Sequence, residues 1–207
     1  MPEQQLDYYF TMTSPWAYFG HRHFIELAER HHLKINFHPL NLGLVFPETG
    51  GLPLAKRHPA RQAYRFLELQ RWRLKRGVPL NLMPKFFPMN PALADCSVVA
   101  LVAAGGDVPG FMARMFAATF AEERDGADPA TIEAVLTASG ANGKAMLAAA
   151  QSEPVRIAYE AASHAAVARG IFGSPTYVRD GELFWGQDRL DLLEDAIISG
   201  RAGFKVP

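Results

Sequence analysis

Two stretches patterned as β-strand and helix open and close this chain, and a long helix-patterned block separates them. That split constrains the fold more than any other feature. At the start, "LDYYFTM" (residues 6–12) alternates apolar and polar side chains well enough to predict a strand. "HRHFIELAERHH" follows as an amphipathic helix, with Phe19, Phe24, Leu27 and Ala28 spaced to face one core and His21, Arg22 and Glu29 mostly off that face. "LKINFHPLNL" (33–42) predicts a second strand, broken at Pro39. The opening is therefore β-α-β, with a right-handed crossover expected. At the other end, "IFGSPTYVRDGELFWGQDRLDLLEDAIISG" reads as strand, tight turn, strand, loop, helix. Its Asp180-Gly181 pair is a strong hairpin signal.

Between these ends the pattern changes twice. "GLVFPETGGLPLAKRHP" is rich in Gly and Pro and reads as an ordered loop. "ARQAYRFLELQRWRLKRG" reads as a basic amphipathic helix ending near Gly77, its "RWRLKRG" run a solvated face. "VPLNLMPKFFPMNP" is irregular because of its prolines. From Ala92 to about Ala168 the chain is Ala-rich, with room for four or five helices between "GGDVPG", "DGADP" and "SGANG". The expected fold class is α/β: a split β-α-β…β-β-α unit of the thioredoxin type, with an inserted all-helical domain. The expected boundaries are 1–45 and 165–207 for the two parts of the thioredoxin-like domain and 46–164 for the insertion.

Composition narrows the function. The chain has 207 residues, 49% hydrophobic and 20% charged, enough apolar surface for a core. Lys+Arg and Asp+Glu each total 21, so no net positive field recruits nucleic acid or a membrane surface. Cys96 is the only cysteine, so no intrachain disulfide forms. "MPEQQLDYYF" lacks a basic n-region and a long apolar run, and the expectation is a cytoplasmic protein. The seven histidines lack metal spacing and read as solvated helix ends.

Three places carry chemistry. Ser14 stands where the first strand turns into the first helix, with Pro15 at the first helical position. Free N–H groups and the helix dipole favour an anion there. The stretch "SPWA" has no sulfur, so dithiol chemistry is excluded. What remains is a hydroxyl able to donate to a thiolate, or a plain helix cap. Ser174-Pro175 precedes the "TYV" strand; its backbone either pairs with a peptide-like ligand or simply begins an edge strand. Gln187 and Asp188 precede the last helix, where Asp188 is either a cap or the partner of an α-amino acid head. A thiolate stabiliser, a backbone pairing site and a zwitterion pocket together match the three parts of glutathione.

With these motifs in hand, the sequence resembles the 2-hydroxychromene-2-carboxylate isomerases and the related kappa-class glutathione transferases. The likeness runs nearly end to end, through "SPWAYFG", "GVPLNLMPKFFPMNPALA" and "ARGIFGSPTYVRDGELFWGQDRLDLLEDAI". It implies glutathione as cofactor, a small aromatic substrate, a homodimer, and Ser14 as the catalytic residue assisting the glutathione thiol. It implies that Ser174 before Pro175 pairs with the cysteinyl backbone, and that Gln187 and Asp188 hold the γ-glutamyl end. Arg61 becomes the basic residue of the site, with Lys56 as its alternative. Asn90 falls near the substrate pocket, and Trp16 and Tyr18 wall it. Two departures stand out: "TGGLP" puts Gly51 where such proteins often carry Asn, and Ser174 replaces a commoner Val. The activities in view are reversible isomerisation of an aromatic α-keto acid, a kappa-like transferase or peroxidase reaction, or non-catalytic binding of glutathione or a peptide.

Overall fold

The computed structural model describes residues 5–206. The reading of the N-terminus as leaderless falls partly on residues 1–4, outside the described residues. Four strands, β1 (Gln5–Phe10), β2 (Lys34–Pro39), β3 (Thr176–Arg179) and β4 (Glu182–Trp185), form one sheet in the order β2-β1-β3-β4. β1 pairs with β2 in parallel and with β3 antiparallel, and β3 pairs with β4 antiparallel. Two segments more than 130 residues apart in the chain thus share a sheet, as the split pattern requires.

Helix α1 (Pro15–Arg30) connects β1 to β2. Pro15 at its first position and Ser14 as its cap set where it begins. On one face of the sheet, Leu6, Tyr8 and Phe10 of β1 meet Phe24 and Leu27 of α1 and Leu193 of the last helix, α9 (Leu190–Ser199). Tyr8 stacks on Tyr177 of β3 at 5.2 Å. On the other face, Tyr9 and Val178 pack with Leu40, Val45 and Ala166. The central strand is buried from both sides, so its period-2 alternation partitions two cores rather than core and solvent. The hairpin turn is as expected: Asp180 and Gly181 both hold positive φ, 50° and 81°, which a type I′ turn demands.

The middle of the chain folds as α2 (Leu42–Thr49), α3 (Pro59–Arg76), α4 (Ala92–Ala104), α5 (Val108–Phe120), α6 (Pro129–Ala138), α7 (Gly143–Ala150) and α8 (Glu153–Ala168). The Ala-rich block thus holds five helices, and residues 77–91 are irregular, as expected. The expected loop at 43–59 is corrected. Its first part is α2, despite Gly43 and Pro47, and Leu54–Lys56 is a turn of 3₁₀ helix. Asn41 caps α2 by accepting from the Gly43 N–H at 3.0 Å, and Val45 is buried against α8's Ala166. Tertiary burial and a cap outweigh poor local propensity. Both expected domain borders, at 45/46 and 164/165, fall inside helices (α2 and α8).

Two further expectations are corrected. His21 is not at a solvated helix end: it is 4% exposed, because α5 covers the second face of α1 and Pro109's carbonyl takes the His21 Nε2 at 3.0 Å. Burial pushes its pKa down to about 4. The "RWRLKRG" run is not only a solvated face, since Arg76 donates from Nε to the Gln187 side-chain oxygen and from Nη2 to its carbonyl, both at 2.9 Å.

Candidate functional site

The turn from β1 into α1 delivers Ser14 to the point where β3 begins. Ser14 is 6% exposed. Its Oγ accepts from the Ala17 N–H at 3.2 Å and donates to the Ser174 carbonyl at 3.4 Å. The Ser174 hydroxyl accepts from the Thr11 N–H at 3.1 Å, and the Ser174–Pro175 bond is cis. Ser14 and Ser174, 160 residues apart, therefore meet directly. The Ser174 side chain also has work to do here, tying β3's entry to the strand end that precedes Ser14.

Beneath that turn lies Asp95 of α4, fully buried. It accepts from the Met12 N–H (2.8 Å), the Thr11 hydroxyl (2.8 Å) and the Tyr159 hydroxyl of α8 (2.9 Å). Burial raises its pKa to about 7 against the opposing pull of these donors. Cys96, next to it, is a buried thiol pushed up to about 11 by desolvation.

A cavity of about 690 Å³, within the usual size range for small-ligand sites, opens over Ser14. Thr13 and Trp16 form its floor. Phe46, Phe87, Phe172 and Trp185 give it aromatic walls, and Arg57, Arg61 and Arg65 of α3 and its approach line another side. No Asp or Glu lines it. The Thr13 hydroxyl is buried and has no hydrogen-bond partner among the described residues. Arg57 donates from Nε to the Leu52 carbonyl at 2.9 Å, and Arg65 lies 5.1 Å over the Phe87 ring. Among the described residues, no three His, Cys, Asp or Glu side chains gather as metal ligands.

Of the residues singled out from the sequence, Ser14, Trp16, Ser174 and Arg61 line this cavity, and Pro175 fixes the turn beside it. Lys56 is exposed and does not line it. Tyr18 is not a wall: it stacks with Phe120 at 5.6 Å in the core and donates to the Pro79 carbonyl. One turn beyond Ser14, it points along the α1–α5 seam instead. Asn90 is exposed and accepts from the Ala92 N–H at 3.0 Å, holding the turn into α4. Gln187 is buried and held by Arg76, outside the cavity lining. Asp188 makes no cap; its carboxylate pairs with Arg189 at 2.9 Å, on the turn three residues past Trp185.

Sequence reasoning missed Arg57 and Arg65 and four aromatic walls. For Arg65 the available signal was its spacing of four from Arg61 on one face of α3; Arg57 stands before the helix in extended backbone, and only the tertiary fold brings it to the cavity. Gly51 is explained by contact. A Cβ there would lie 2.2 Å from the Phe46 ring, so no larger residue fits unless Phe46 turns. Gly51→Ala is expected to cost about 1 kcal/mol in urea denaturation. That is the low end for overpacking, because the half-exposed Phe46 can yield.

These features define a thioredoxin-fold protein with a helical insertion and a serine hydroxyl at the N-terminus of its first helix. The chain belongs to the DSBA-like thioredoxin domain family, whose model matches residues 5–198. It is 27% identical to the 2-hydroxychromene-2-carboxylate isomerase of Sphingobium xenophagum over 195 residues, 93% of this chain and 97% of that one. It is equally similar, at 27% over 208 residues, to the enzyme of that name from Pseudomonas putida, covering 93% of each. A solved 2-hydroxychromene-2-carboxylate isomerase structure superposes with a TM-score of 0.79 at 26% identity, covering 94% of this chain and 95% of that one. No described helix is long and apolar enough to cross a membrane.

Proposed function

We propose that this protein is a glutathione-dependent isomerase of 2-hydroxychromene-2-carboxylate or a related aromatic α-keto acid, acting in the cytoplasm as a homodimer. The observation that carries the reading is the Ser14 hydroxyl at the N-terminus of α1, facing an aromatic cavity lined by three arginines and no acid. The relatives named above lend the reaction type.

The residues present fit glutathione. Ser14 offers a hydroxyl for its thiol, and the Ser174 backbone lies beside it. The arginine wall suits a carboxylate. When bound beside Ser14, glutathione would supply the thiolate nucleophile for a reversible addition to the substrate's conjugated carbon. A free thiol of pKa about 8.5 is only a few per cent ionised at pH 7. Lowering it by about two units is worth roughly 2.7 kcal/mol and makes the thiolate dominant. Ser14 contributes by turning its proton from the long 3.4 Å bond with Ser174 toward the anion, while its lone pair keeps the cap on Ala17. The α1 dipole adds to this. Arg61 and its neighbours hold the substrate carboxylate, and Trp16 and Trp185 exclude water from the ring.

Purified protein mixed with glutathione and 2-hydroxychromene-2-carboxylate tests the reading. Isomerisation with thiol conserved supports it. Stoichiometric thiol loss replaces it with a transferase or peroxidase, and binding without turnover replaces it with a non-catalytic module. Asp188 is tested separately. Asp188→Asn should weaken glutathione binding by about 1 kcal/mol in calorimetry, a modest loss because the carboxylate is exposed and shared with Arg189. Unchanged affinity would remove Asp188 from the site.

A further inference from the structure

The turn that carries Ser14 is clamped from beneath by a single carboxyl. The Ser14 N–H donates to the Thr11 carbonyl at 3.1 Å, which closes the turn over Met12 and Thr13. Asp95 grips the first two residues of that turn. Its Oδ1 takes the Met12 N–H and its Oδ2 takes the Thr11 hydroxyl, each at 2.8 Å. Oδ2 also takes the Tyr159 hydroxyl at 2.9 Å. Thr11 and Asp95 are fully buried. An ionised carboxylate suits three donors, since it only accepts. The neutral acid must place one proton, and Oδ1 already faces an N–H, so the proton falls on Oδ2. There it donates to the Thr11 or the Tyr159 oxygen, and that hydroxyl turns its own proton away. A change of protonation therefore reverses a hydrogen bond inside the clamp. It also adds or removes a full negative charge behind the turn, two residues before the Ser14 cap.

We infer that Asp95 is a positioning residue for Ser14: the proton it holds behind the β1–α1 turn governs how strongly the start of α1 holds an anion in the cavity. This deepens the proposed function and rests on it only for the identity of that anion, the glutathione thiolate. The neutral acid leaves the Ser14 hydroxyl and the α1 dipole unopposed. The carboxylate sets a like charge against the anion, roughly tenfold in affinity for one unit charge acting through protein over about 10 Å. The coupling is reciprocal, so a bound anion keeps the proton on Asp95. Burial, opposed by the three donors, brings this titration to about 7, and anion binding weakens as pH rises through that value. Among the described residues, the ionisable groups that face Asp95 are the Tyr159 phenol from α8 and the Cys96 thiol beside it. Burial pushes both up, Cys96 to about 11. On the other elements packed against α4, His38 of β2 turns to Asp7 and Tyr9, and Arg156 of α8 pairs with Glu153 and Glu160. Lys34, Arg114, Lys144 and His164 are exposed.

The test follows the backbone amides of Thr11, Ser14 and Ala17 by proton–nitrogen NMR, from about pH 5.5 to about 8.5, in the ligand-free full-length protein. The Ala17 N–H donates to the Ser14 Oγ, so its shift reads that bond. All three amides should titrate together with a midpoint near neutral pH. Asp95→Asn, which stays neutral, should leave them flat. Tyr159→Phe removes one donor to the carboxylate and should raise the shared midpoint by about one pH unit or more, the value of one hydrogen bond to a charged group. Glutathione sulfonate places a permanent anion at the thiol position and should raise the wild-type midpoint by about one unit; S-methylglutathione, neutral there, should raise it less. Amides that stay flat in the wild type overturn the inference, because a carboxyl that only holds the fold together would leave them so. A titration that survives Asp95→Asn, a midpoint that Tyr159→Phe leaves in place, or one that the bound sulfonate leaves in place overturns it as well. If neither glutathione derivative binds, the glutathione reading falls, and the ligand-free titration with its two variants decides the role of Asp95. Isomerisation by a protein whose amides stay flat would do the reverse.

Discussion

Ser14→Asp should lower turnover by at least about a hundredfold without unfolding the protein, and Ser14→Ala by roughly ten- to a hundredfold. The two estimates have different origins. Alanine removes one hydrogen bond to an anion, worth about 1.5–3 kcal/mol, and leaves the dipole of α1 in place, so the bound thiol's pKa should rise only part of the way to its free value. Aspartate keeps the cap, because a carboxylate oxygen accepts from the Ala17 N–H as the Ser14 Oγ does. It also sets a negative charge against the thiolate, which at about 4 Å and a surface-like dielectric costs about 4 kcal/mol. It further faces the Ser174 carbonyl, to which Ser14 now donates. Asparagine separates these effects: it caps like aspartate and carries a neutral donor, so it should fall between alanine and the wild type. Ultraviolet titration of the bound thiol in all four proteins, with fold checked by circular dichroism, reads the order directly. If aspartate leaves the thiol pKa and turnover unchanged, Ser14 is a helix cap and nothing more.

What the sequence made legible follows from how local each signal is. The Asp180-Gly181 turn and the Ser14-Pro15 helix start are fixed by φ preferences and a single side chain, so they read correctly without knowledge of the rest. The split sheet was legible because period-2 and period-3.6 stretches differ sharply at both ends of the chain. α2 was not, since Gly43 and Pro47 argue against a helix and only burial of Val45 against α8 overrides them. His21 and Tyr18 were misplaced for a related reason. Spacing along α1 shows which residues share a face, but not that α5 covers a second face. The site was legible where one element carries it, as at Ser14 and Arg61. The aromatic walls at Phe46, Phe87, Phe172 and Trp185 converge from four separate segments, and only the tertiary fold gathers them. Asp95 left no trace in its own neighbourhood: in "ALADCSVV" it reads as a helix residue, and its partners lie 64 to 84 positions away.

Asp95 carries the largest expected effect on stability. Alanine at this position leaves the Met12 N–H and the hydroxyls of Thr11 and Tyr159 buried without their acceptor, which should cost about 3 kcal/mol or more. Asparagine keeps an acceptor and isolates the charge. In the unfolded chain the carboxyl titrates near 3.9, and in the fold burial holds it at about 7. Below about pH 4 both states are protonated and the fold bears no penalty. Between about 4 and 7 only the unfolded chain releases the proton, so stability falls as pH rises, by about 1.4 kcal/mol per unit; above 7 the loss is complete. His21 acts in the opposite direction. Its folded pKa is lowered to about 4, so its contribution is full above about pH 6.5 and lost as pH falls toward 4. Comparing wild type with Asp95→Asn cancels His21 and leaves Asp95 alone. In urea denaturation the stability difference between the two proteins should shift by about 2–3 kcal/mol in favour of the variant from pH 5 to pH 7.5. A difference that stays constant over that range would mean that Asp95 is ionised in the fold throughout. Its three donors would then outweigh its burial, and the turn that carries Ser14 would rest on a carboxylate anion rather than a carboxylic acid at neutral pH.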